Sequence, residues 1–344
     1  MNATTLLENA FMNELYGMLS ISEQKIYEKV MSSIASRADS VSILGQQNSK
    51  MMQHVLAAVA YDHPEIFYVD FQHLHFRVSS LSTSYLISYS VNKAKIDCIQ
   101  RMLDNWVCHV RHDLRIDLTP DKMEICRKVH NYLIHHVKYN YDALQTPDAY
   151  PDSFTVKGVF EQQTAVCEGI SKSFKLLCNR FGVDVLIMTG KSTQDILGNS
   201  TSHVWNIVKT ENGYAHVDVT WDLGMSEGSK SIRYDYYMIP DEWIAADHEF
   251  NRICHCDLID NSYFVSTMSL LSSRKELKEY IDTKCKQKRN KLYFKIISEK
   301  GFPDDIISRV QKLVEKELDQ TYPLGYSLSM IHNEAQNIFY FKLL

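Results

Sequence analysis

The chain has 344 residues, of which 45% are hydrophobic and 23% are charged. These proportions are those of an ordinary globular protein and argue against an intrinsically disordered chain. The formal net charge of −5 argues against a global basic surface that would attract nucleic acid. The length alone allows two domains or one elaborated domain.

The N-terminal residues MNATTLLENAFMNELYGMLS lack the basic start and the uninterrupted apolar run of a secretory signal. The longest apolar runs, such as VLAAVA at 55–60, are far too short to span a bilayer. We therefore expect a cytoplasmic protein that does not associate with membranes. In a reducing compartment its eight cysteines are expected to be free thiols (Cys98, Cys108, Cys126, Cys167, Cys178, Cys254, Cys256 and Cys285).

The first third of the chain is predicted to be mostly helical with a small β element. Apolar spacing and alternation predict helices over residues 1–60, two strands within 71–91, and helices over 93–113 and 120–138. Pro64 interrupts the first helical stretch, and Pro120 with Asp121 opens the last helix. We take residues 1–114 as an N-terminal region.

The middle of the chain carries a helix followed by strands. Apolar residues at helical spacing predict a helix from Cys167 to Phe181, and Gly182 follows as a stop signal. Strands are predicted over 183–190, 202–210 and 214–221, the last two as an antiparallel pair. Further helices are predicted at about 272–288 and 303–318, with strands near 291–297, 325–331 and 337–343. This predicts a catalytic core over 115–265 and a C-terminal α+β appendage over 266–344.

Cys167 is predicted to be the first residue of its helix. The unpaired N–H groups and partial positive charge at a helix N-terminus favour a thiolate, which is the nucleophilic form. Gly169 adds no Cβ near the thiol, so a substrate backbone could approach closely. A nucleophilic cysteine also needs a base, and the base needs an orienting group. His203 and Asp218 follow Cys167 in the order Cys, His, Asp on neighbouring predicted strands.

The turn between these two strands decides which carboxylate can orient His203. A turn on Asn212–Gly213 would pair His203 with Asp222 and leave Asp218 about 13 Å away along the strand, too far for a hydrogen bond. A turn near Thr210–Glu211 would pair His203 with Asp218. Both registers keep Asp218 on the face of His203, so the residues alone leave both carboxylates open.

The run AVCEGISKSFKLL…SHVWNIV…YAHVDVTWD resembles the transglutaminase-like superfamily, which uses a papain-like Cys-His-Asp triad. DHPEIFYVD and VHNYLIHHVKYNY resemble its bacterial branch. The resemblance is good over about 120–250 and implies an α+β fold in which the nucleophile helix packs on an antiparallel sheet. It implies that Cys167 is the nucleophile, His203 the base and Asp218 the orienter, which favours the second turn.

The chain departs from the family pattern at two positions beside the cysteine. The family often has glycine two residues before the cysteine and an aromatic residue after the second glycine, where this chain has Ala165 and Ile170. These departures bear on substrate preference more than on the triad.

The chemistry implied by the resemblance is attack of a thiol on a peptide or carboxamide carbonyl, through a thioester. A hydrolytic cysteine peptidase or amidase is the leading interpretation. The alternatives are a transamidase or cyclising enzyme, which passes the acyl group to an amine, and an inactive binding or scaffold protein on the same fold. The expected partner is a peptide or protein substrate, and the terminal regions leave room for a further protein partner.

Several residues are predicted to support the triad. The main-chain N–H of Cys167 is a candidate oxyanion donor, and Gln162 or Gln163 is a candidate for the second. Trp205 shares the strand face of His203 and is a candidate wall of the cleft.

No cofactor is expected, and no metal is assigned. The segment CHCD (254–257), with His248 nearby, is a weak metal signal, because zinc sites usually show two spaced pairs of ligands.

Overall fold

The structure is a computed structural model that describes residues 14–193, 201–229, 231–297, 306–322 and 326–343. The chain divides into two compact units, one comprising Met1–Thr189 with His203–Lys209 and the other Gly190–Ser202 with Thr210–Leu344. This division runs through the segment 115–265, so the three-part organisation expected from the sequence stays a prediction. In the described part of the chain, every helix is too short or too polar to cross a bilayer.

The first unit contains eight helices with described bounds: α1 (Glu14–Met18), α2 (Ile21–Ala35), α3 (Ser49–Asp62), α4 (Ile96–Asp113), α5 (Lys122–His136), α6 (Tyr141–Gln145), α7 (Val156–Gln162) and α8 (Cys167–Arg180). Its strands are β1 (Ser40–Leu44), β2 (His75–Val78), β3 (Ser82–Leu86), β4 (Lys138–Tyr139) and β5 (Thr164–Ala165). Strands β6 (Val185–Ser192) and β7 (Thr201–Thr210) run through the division and contribute to both units.

A small antiparallel sheet with the order β1-β3-β2 packs against α2 and α3. The prediction of two strands within 71–91 is confirmed by β2 and β3. The prediction of helix throughout 1–60 is wrong at β1, where Val41 and Ile43 are buried and Ser40, Ser42 and Leu44 are exposed. That alternation has the two-residue period of a strand. Residues 1–13 lie outside the described part.

Helix α8 lies at the centre of the first unit, packed against α5, α7 and the turn Pro151–Phe154. Ile170, Phe174 and Leu177 on its apolar face are fully buried. The predicted helix from Cys167 to Phe181 is confirmed, with Phe181 as the C-cap.

The second unit contains α9 (Val219–Ser229), α10 (Asp241–Ile244), α11 (Tyr263–Ser266), α12 (Arg274–Lys286) and α13 (Ile306–Thr321). Its own strands are β8 (Gly213–Val217), β9 (Tyr237–Ile239), β10 (His248–Phe250), β11 (Leu270–Leu271), β12 (Lys291–Ile296), β13 (Leu328–Asn333) and β14 (Ile338–Leu343). Strand β8 pairs antiparallel with β9, and β10 pairs antiparallel with the end of β6.

The C-terminal sheet has the order β11-β12-β14-β13 and is covered by α12 and α13. Phe294 of β12 stacks between Phe339 and Phe341 of β14, with ring centroids 5.6 and 6.1 Å away. The two helices and three strands predicted in this part are confirmed with small shifts of their ends. Together with the antiparallel sheets of the first unit, they confirm the α+β class.

The strand predicted over 214–221 is wrong in its second half. Strand β8 ends at Val217, and α9 begins two residues later. The turn before β8 falls on residues 211–212, between Thr210 and Gly213. Both turns considered from the sequence are therefore displaced by one residue.

Gly169 of α8 has a packing reason to be glycine. A Cβ at this position would lie 2.4 Å from the main-chain oxygen of Ser153 and 3.0 Å from that of Thr155. We expect Gly169→Ala to lower the free energy of unfolding in urea by about 1–3 kcal/mol, the usual cost of overpacking. Gly228→Ala in α9 is the matched control, because a Cβ there meets nothing within 4 Å. Equal stability of the Gly169→Ala variant and the wild type would contradict this explanation.

Candidate functional site

Cys167 occupies the first position of α8, as the sequence predicted. The residue before it, Val166, is the N-cap and offers no side-chain hydrogen bond to the helix. The main-chain amides of the first turn are therefore not covered by a capping side chain. They form the positive end of the helix dipole, at the position of the Cys167 thiol. Cys167 is 8% exposed and packs with Ile187, Val204 and the ring of Tyr61. The thiol thus lies in a mostly apolar setting at a helix N-terminus.

Tyr139 is a site residue that the sequence analysis missed. Strand β4 pairs in parallel with β5, and this register sets Tyr139 beside Ala165, two residues before the cysteine. Burial raises the pKa of Tyr139, and the negative charge of a Cys167 thiolate raises it further. The Tyr139 hydroxyl therefore lies in the neighbourhood of both the candidate nucleophile and the candidate oxyanion donor.

Hydrogen bonds with the turn at Ser153 fix the chain just before Cys167. The N–H of Val166 donates to the main-chain oxygen of Ser153 at 3.0 Å. The side-chain amide of Asn140 donates to the Ser153 hydroxyl at 2.9 Å. The main-chain N–H of Asn140 donates to the main-chain oxygen of Ala165 at 3.0 Å. These bonds hold β4, β5 and the start of α8 in one arrangement.

His203 lies on β7 and is 6% exposed. Its imidazole stacks on Trp205, with ring centroids 5.7 Å apart and an interplanar angle of 18°. Trp205 is fully buried, so it supports one face of the imidazole. Whether Trp205 also borders a substrate stays a prediction.

Two side chains bind α8 to β7. The Ser171 hydroxyl donates to the main-chain oxygen of Val204 at 2.9 Å. The Asn206 amide donates to the main-chain oxygens of Ser171 and Leu186, at 3.1 and 3.2 Å. Because Val204 packs against Cys167 and precedes Trp205, these bonds bring the strand of His203 to the start of the nucleophile helix.

A cavity of about 430 Å³ lies beside the first turns of α8 in the same unit. Its lining includes the aromatic rings of Tyr61, Phe67 and Phe154, and the charged side chains of Glu168 and Lys172. The Lys172 ammonium bonds to Glu168 at 2.6 Å, so these two charges compensate each other. The Tyr61 ring is shared between the cavity and the surroundings of Cys167.

The two glutamines proposed as oxyanion donors belong to the end of α7. The Gln162 amide donates to the Asp152 carboxylate at 3.0 Å. Gln163 is the C-cap, with a left-handed backbone (φ 54°) and an exposed side chain. Their role as oxyanion donors stays a prediction, as does the role of Gly169 in substrate approach.

Asp218 belongs to the second unit, at the junction of β8 and α9, and is fully buried. One carboxylate oxygen, Oδ1, accepts from the main-chain N–H of Trp221 at 3.0 Å, which caps the first turn of α9. The other, Oδ2, lies 3.2 Å from Nε2 of His248. The main-chain N–H of Asp218 donates to the oxygen of Tyr236 at 3.0 Å. The carboxylate is therefore held by the fold of this unit.

His248 is a second residue missed by the sequence analysis, which considered it only as a neighbour of CHCD. Its Nδ1 lies 2.6 Å from Asp247, so the buried ring connects two carboxylates. The Asp247 carboxylate also accepts from the Tyr236 hydroxyl at 2.6 Å and from the Gln336 amide at 3.1 Å. No local sequence pattern brings residues 218 and 248 together, because their contact depends on the packing of the unit.

Asp222, the alternative orienter, lies in α9 and not on a strand. Its Oδ1 accepts from the main-chain N–H of Tyr236 at 3.0 Å. The register that placed Asp222 opposite His203 assumed a strand through residue 221, and that assumption is wrong because β8 ends at Val217.

The fold and this site define an α+β protein with a cysteine at the start of a buried helix. The family comparison is more specific, because residues 113–219 match the model of the transglutaminase-like superfamily. This segment is therefore transglutaminase-like, and members of that superfamily include cysteine peptidases and transglutaminases. The segment contains Cys167, His203 and Asp218. The resemblance found in the sequence is confirmed at the level of the superfamily, and the bacterial branch stays a prediction.

Two individual proteins are also similar to the chain. Kyphoscoliosis peptidase from Mus musculus is 26% identical over 115 residues, which cover 32% of this chain and 17% of the mouse protein. The chain thus matches less than a fifth of that relative. A solved structure described as "Crystal structure of a TGase" is 14% identical and covers 53% of this chain and 50% of its own, with a TM-score of 0.32.

The contact between Tyr139 and Cys167 leads to a prediction about thiol reactivity. We expect Tyr139→Phe to slow alkylation of Cys167 by iodoacetamide at neutral pH by roughly 10-fold or more, because a hydrogen bond to a charged group contributes about 1.5–3 kcal/mol. Peptide mass spectrometry of time points measures the rate. Tyr141→Phe is the control, because it removes the hydroxyl of a neighbouring tyrosine. Tyr141 is the first residue of α6, and its ring centroid lies 5.0 Å from that of Tyr139. Alkylation of Tyr139→Phe as fast as the wild type would refute this role of the hydroxyl.

Proposed function

We propose that the chain is a thiol-dependent acyl-transfer enzyme that cleaves a peptide or carboxamide bond through a Cys167 thioester and completes the reaction by hydrolysis. In this proposal His203 is the general base and acid, and Asp218 orients it. The superfamily match supports acyl-transfer chemistry of either kind, and the name of the mouse relative, a peptidase, favours the hydrolytic form.

The observation that carries the proposal is the position of Cys167. A cysteine kept only for packing has no need of a helix N-terminus without a side-chain cap, nor of a phenol in the neighbourhood of its thiol. Both features stabilise negative charge on sulfur or on an oxygen bound next to it. Cys178 is buried on the apolar face of the same helix and has neither feature.

The proposed reaction has two halves. His203 takes the proton of the Cys167 thiol, the sulfur attacks the substrate carbonyl carbon, and the C=O π electrons move to oxygen. The tetrahedral intermediate collapses, the C–N bond breaks, and the amine or ammonia leaves with a proton from His203. Water then attacks the thioester while His203 takes its proton. The C–S bond breaks, the carboxylic acid product leaves, and the thiol is restored.

The carbonyl oxygen that becomes negative needs donors that are already in place. The main-chain N–H of Cys167 is one, as in the expectation from the sequence. Tyr139 supplies a second candidate, because its hydroxyl lies in the neighbourhood of Cys167 and can turn its proton toward an oxyanion. This assignment makes Tyr139 a stronger candidate than Gln162 or Gln163.

The cavity beside α8 is the proposed site for a side chain of the acyl donor. Its volume of about 430 Å³ is within the usual range of small-ligand sites. Its lining combines aromatic rings with the carboxylates of Asp70, Asp148 and Asp152, which favours a group with an apolar body and a basic or polar end. The shared ring of Tyr61 sets that group next to the thiol. The enzyme is thus proposed to select a side chain near the cleaved bond.

The first test of this function is capture of the acyl-enzyme. We expect that wild-type protein incubated with denatured casein acquires an acyl adduct on Cys167 and releases new peptides or ammonia, whereas Cys167→Ala does neither. Intact-protein and peptide mass spectrometry measure the adduct. Cys98→Ala is the matched control, because Cys98 is an exposed thiol of α4.

The same experiment distinguishes hydrolysis from transfer. With monodansylcadaverine present, a hydrolytic enzyme leaves the casein unlabelled, and a transamidase attaches the fluorescent amine. If wild type and Cys167→Ala give the same adducts and the same products, the proposal of an enzyme is wrong. The chain would then be a binding protein on this fold.

The second test concerns the orienter. We expect Asp218→Asn to lower kcat by about 10³–10⁴-fold, because an amide favours the wrong imidazole tautomer. The asparagine oxygen can still accept from Trp221, so the cap of α9 is retained. Asp222→Asn is the control, and its kcat is expected to stay within a few-fold of the wild type. Loss of activity in Asp222→Asn alone, with both variants folded by circular dichroism, would reverse the assignment.

A further inference from the structure

A cluster of metal-ligand side chains lies in the second unit, outside the residues proposed for catalysis. His216 is on β8, Asp241 begins α10, and Cys256 follows β10 in the segment CHCD. Their ligand atoms all lie within 4.8 Å of one another. All three residues are buried, with exposures of 0%, 3% and 1%. The sulfur of the half-buried Cys254 lies 4.0 Å from that of Cys256.

We propose that His216, Asp241, Cys254 and Cys256 form a binding site for a divalent metal ion of the zinc class. Two sulfurs and an imidazole nitrogen favour zinc or a similar borderline-soft ion over magnesium or calcium, which prefer oxygen ligands. Four protein ligands close the coordination of a tetrahedral ion, so the site is structural and not catalytic.

His216, Asp241 and Cys256 form the compact part of the site. Cys254 lies outside that group and reaches it through the sulfur of Cys256, so its side chain must turn toward the other three ligands when the ion binds. With metal–sulfur bonds of about 2.3 Å, the two sulfurs of a tetrahedral site lie about 3.8 Å apart, close to the observed 4.0 Å. Nε2 of His216 and Oδ1 of Asp241 are 2.9 Å apart, as a hydrogen bond. Bonds of about 2.0–2.1 Å to a shared ion would separate them to about 3.4 Å. An ion therefore replaces this hydrogen bond with an opening of about half an ångström.

The other oxygen of Asp241 is already held by groups that would support a bound ion. Oδ2 accepts from Arg252 at 3.0 Å, from His255 at 3.2 Å and from the main-chain N–H of Cys256 at 3.3 Å. These contacts leave Oδ1 directed at His216 and fix the orientation of the carboxylate, as outer-shell partners do in metal sites.

The charges also balance. Binding releases the two thiol protons to solvent, so two thiolates and one carboxylate meet the dication and leave one net negative charge. The guanidinium of Arg252 on Oδ2 compensates it. The bound ion would join β8, α10 and the segment after β10, which are distant in sequence.

Cobalt binding to the full-length reduced protein tests the proposal without any measurement of activity. Titration with Co²⁺ is expected to give the near-ultraviolet thiolate-to-cobalt absorption and the visible bands of a tetrahedral ion, saturating at a single ion per chain and bleached by Zn²⁺. Cys254→Ser and Cys256→Ser should each lose most of the thiolate absorption. Cys98→Ser is the matched control and should retain it.

Cys254→Ser and Cys256→Ser test the same site at two positions that differ in burial. Cys254 is half-buried, so Cys254→Ser serves if the fully buried Cys256→Ser does not fold. Zn²⁺ should also raise the Tm of the wild type and of Cys98→Ser but not that of Cys254→Ser. Absence of thiolate absorption in the wild type, or its persistence in Cys254→Ser, would overturn the site and leave Asp241 as the centre of an ordinary hydrogen-bonded cluster.

Discussion

The candidate site of the first unit depends on the attachment of α8 to β7. The helix carries Cys167 and the strand carries His203, yet they are joined by residues that take no part in chemistry. Ser171 and Asn206 use side-chain donors to satisfy main-chain oxygens in a region without solvent. A buried main-chain oxygen left without its donor costs about 1–3 kcal/mol, so sliding the helix along the strand is penalised at several atoms together. Apolar packing alone would allow neighbouring registers at lower cost. The hydrogen bonds therefore fix a single position of α8 relative to β7. A nucleophile and a base on these two elements need such a fixed relative position.

The sequence was sufficient where one local pattern decided the structure, and insufficient where two distant segments met. Helix α8 has an apolar face at helical spacing, so its bounds and the position of Cys167 were predictable. The end of β8 was not, because VDVTW has strand-forming residues throughout and the Asp218 carboxylate overrides that preference by capping α9. Tyr139 could not be found either. It reaches Cys167 through the pairing of two strands of two residues each, too short to leave a periodic signal. Family resemblance supplied the triad, and the residues alone left Asp218 and Asp222 open.

The second unit places an unusual amount of charge in its interior. Arg233 and Asp235 are fully buried and form a two-point ion pair at 2.9 and 2.8 Å, with the Tyr293 hydroxyl on the same carboxylate. Such pairs contribute little to stability compared with apolar residues of the same volume, but breaking one is costly. The buried ion pair therefore restricts the side-chain packing of this unit to few arrangements. The network that holds Asp218 through His248 and Asp247 has the same character, so the carboxylate is oriented by the fold before any substrate arrives.

The phenol of Tyr139 raises an energetic question for the proposed mechanism, because its oxygen competes for the N–H of Cys167 that an oxyanion would need. A neutral hydrogen bond contributes about 1 kcal/mol, and one to a charged group about 1.5–3 kcal/mol. A substrate carbonyl in the ground state is neutral and gains little by displacing the phenol. The developing oxyanion gains more, and the released hydroxyl can then donate to it as well. The exchange thus favours the transition state over the bound substrate, which is the condition for an interaction to accelerate the chemical step rather than only tighten binding. In the proposed mechanism the phenol of Tyr139 therefore competes with the neutral substrate carbonyl and donates to the oxyanion of the transition state.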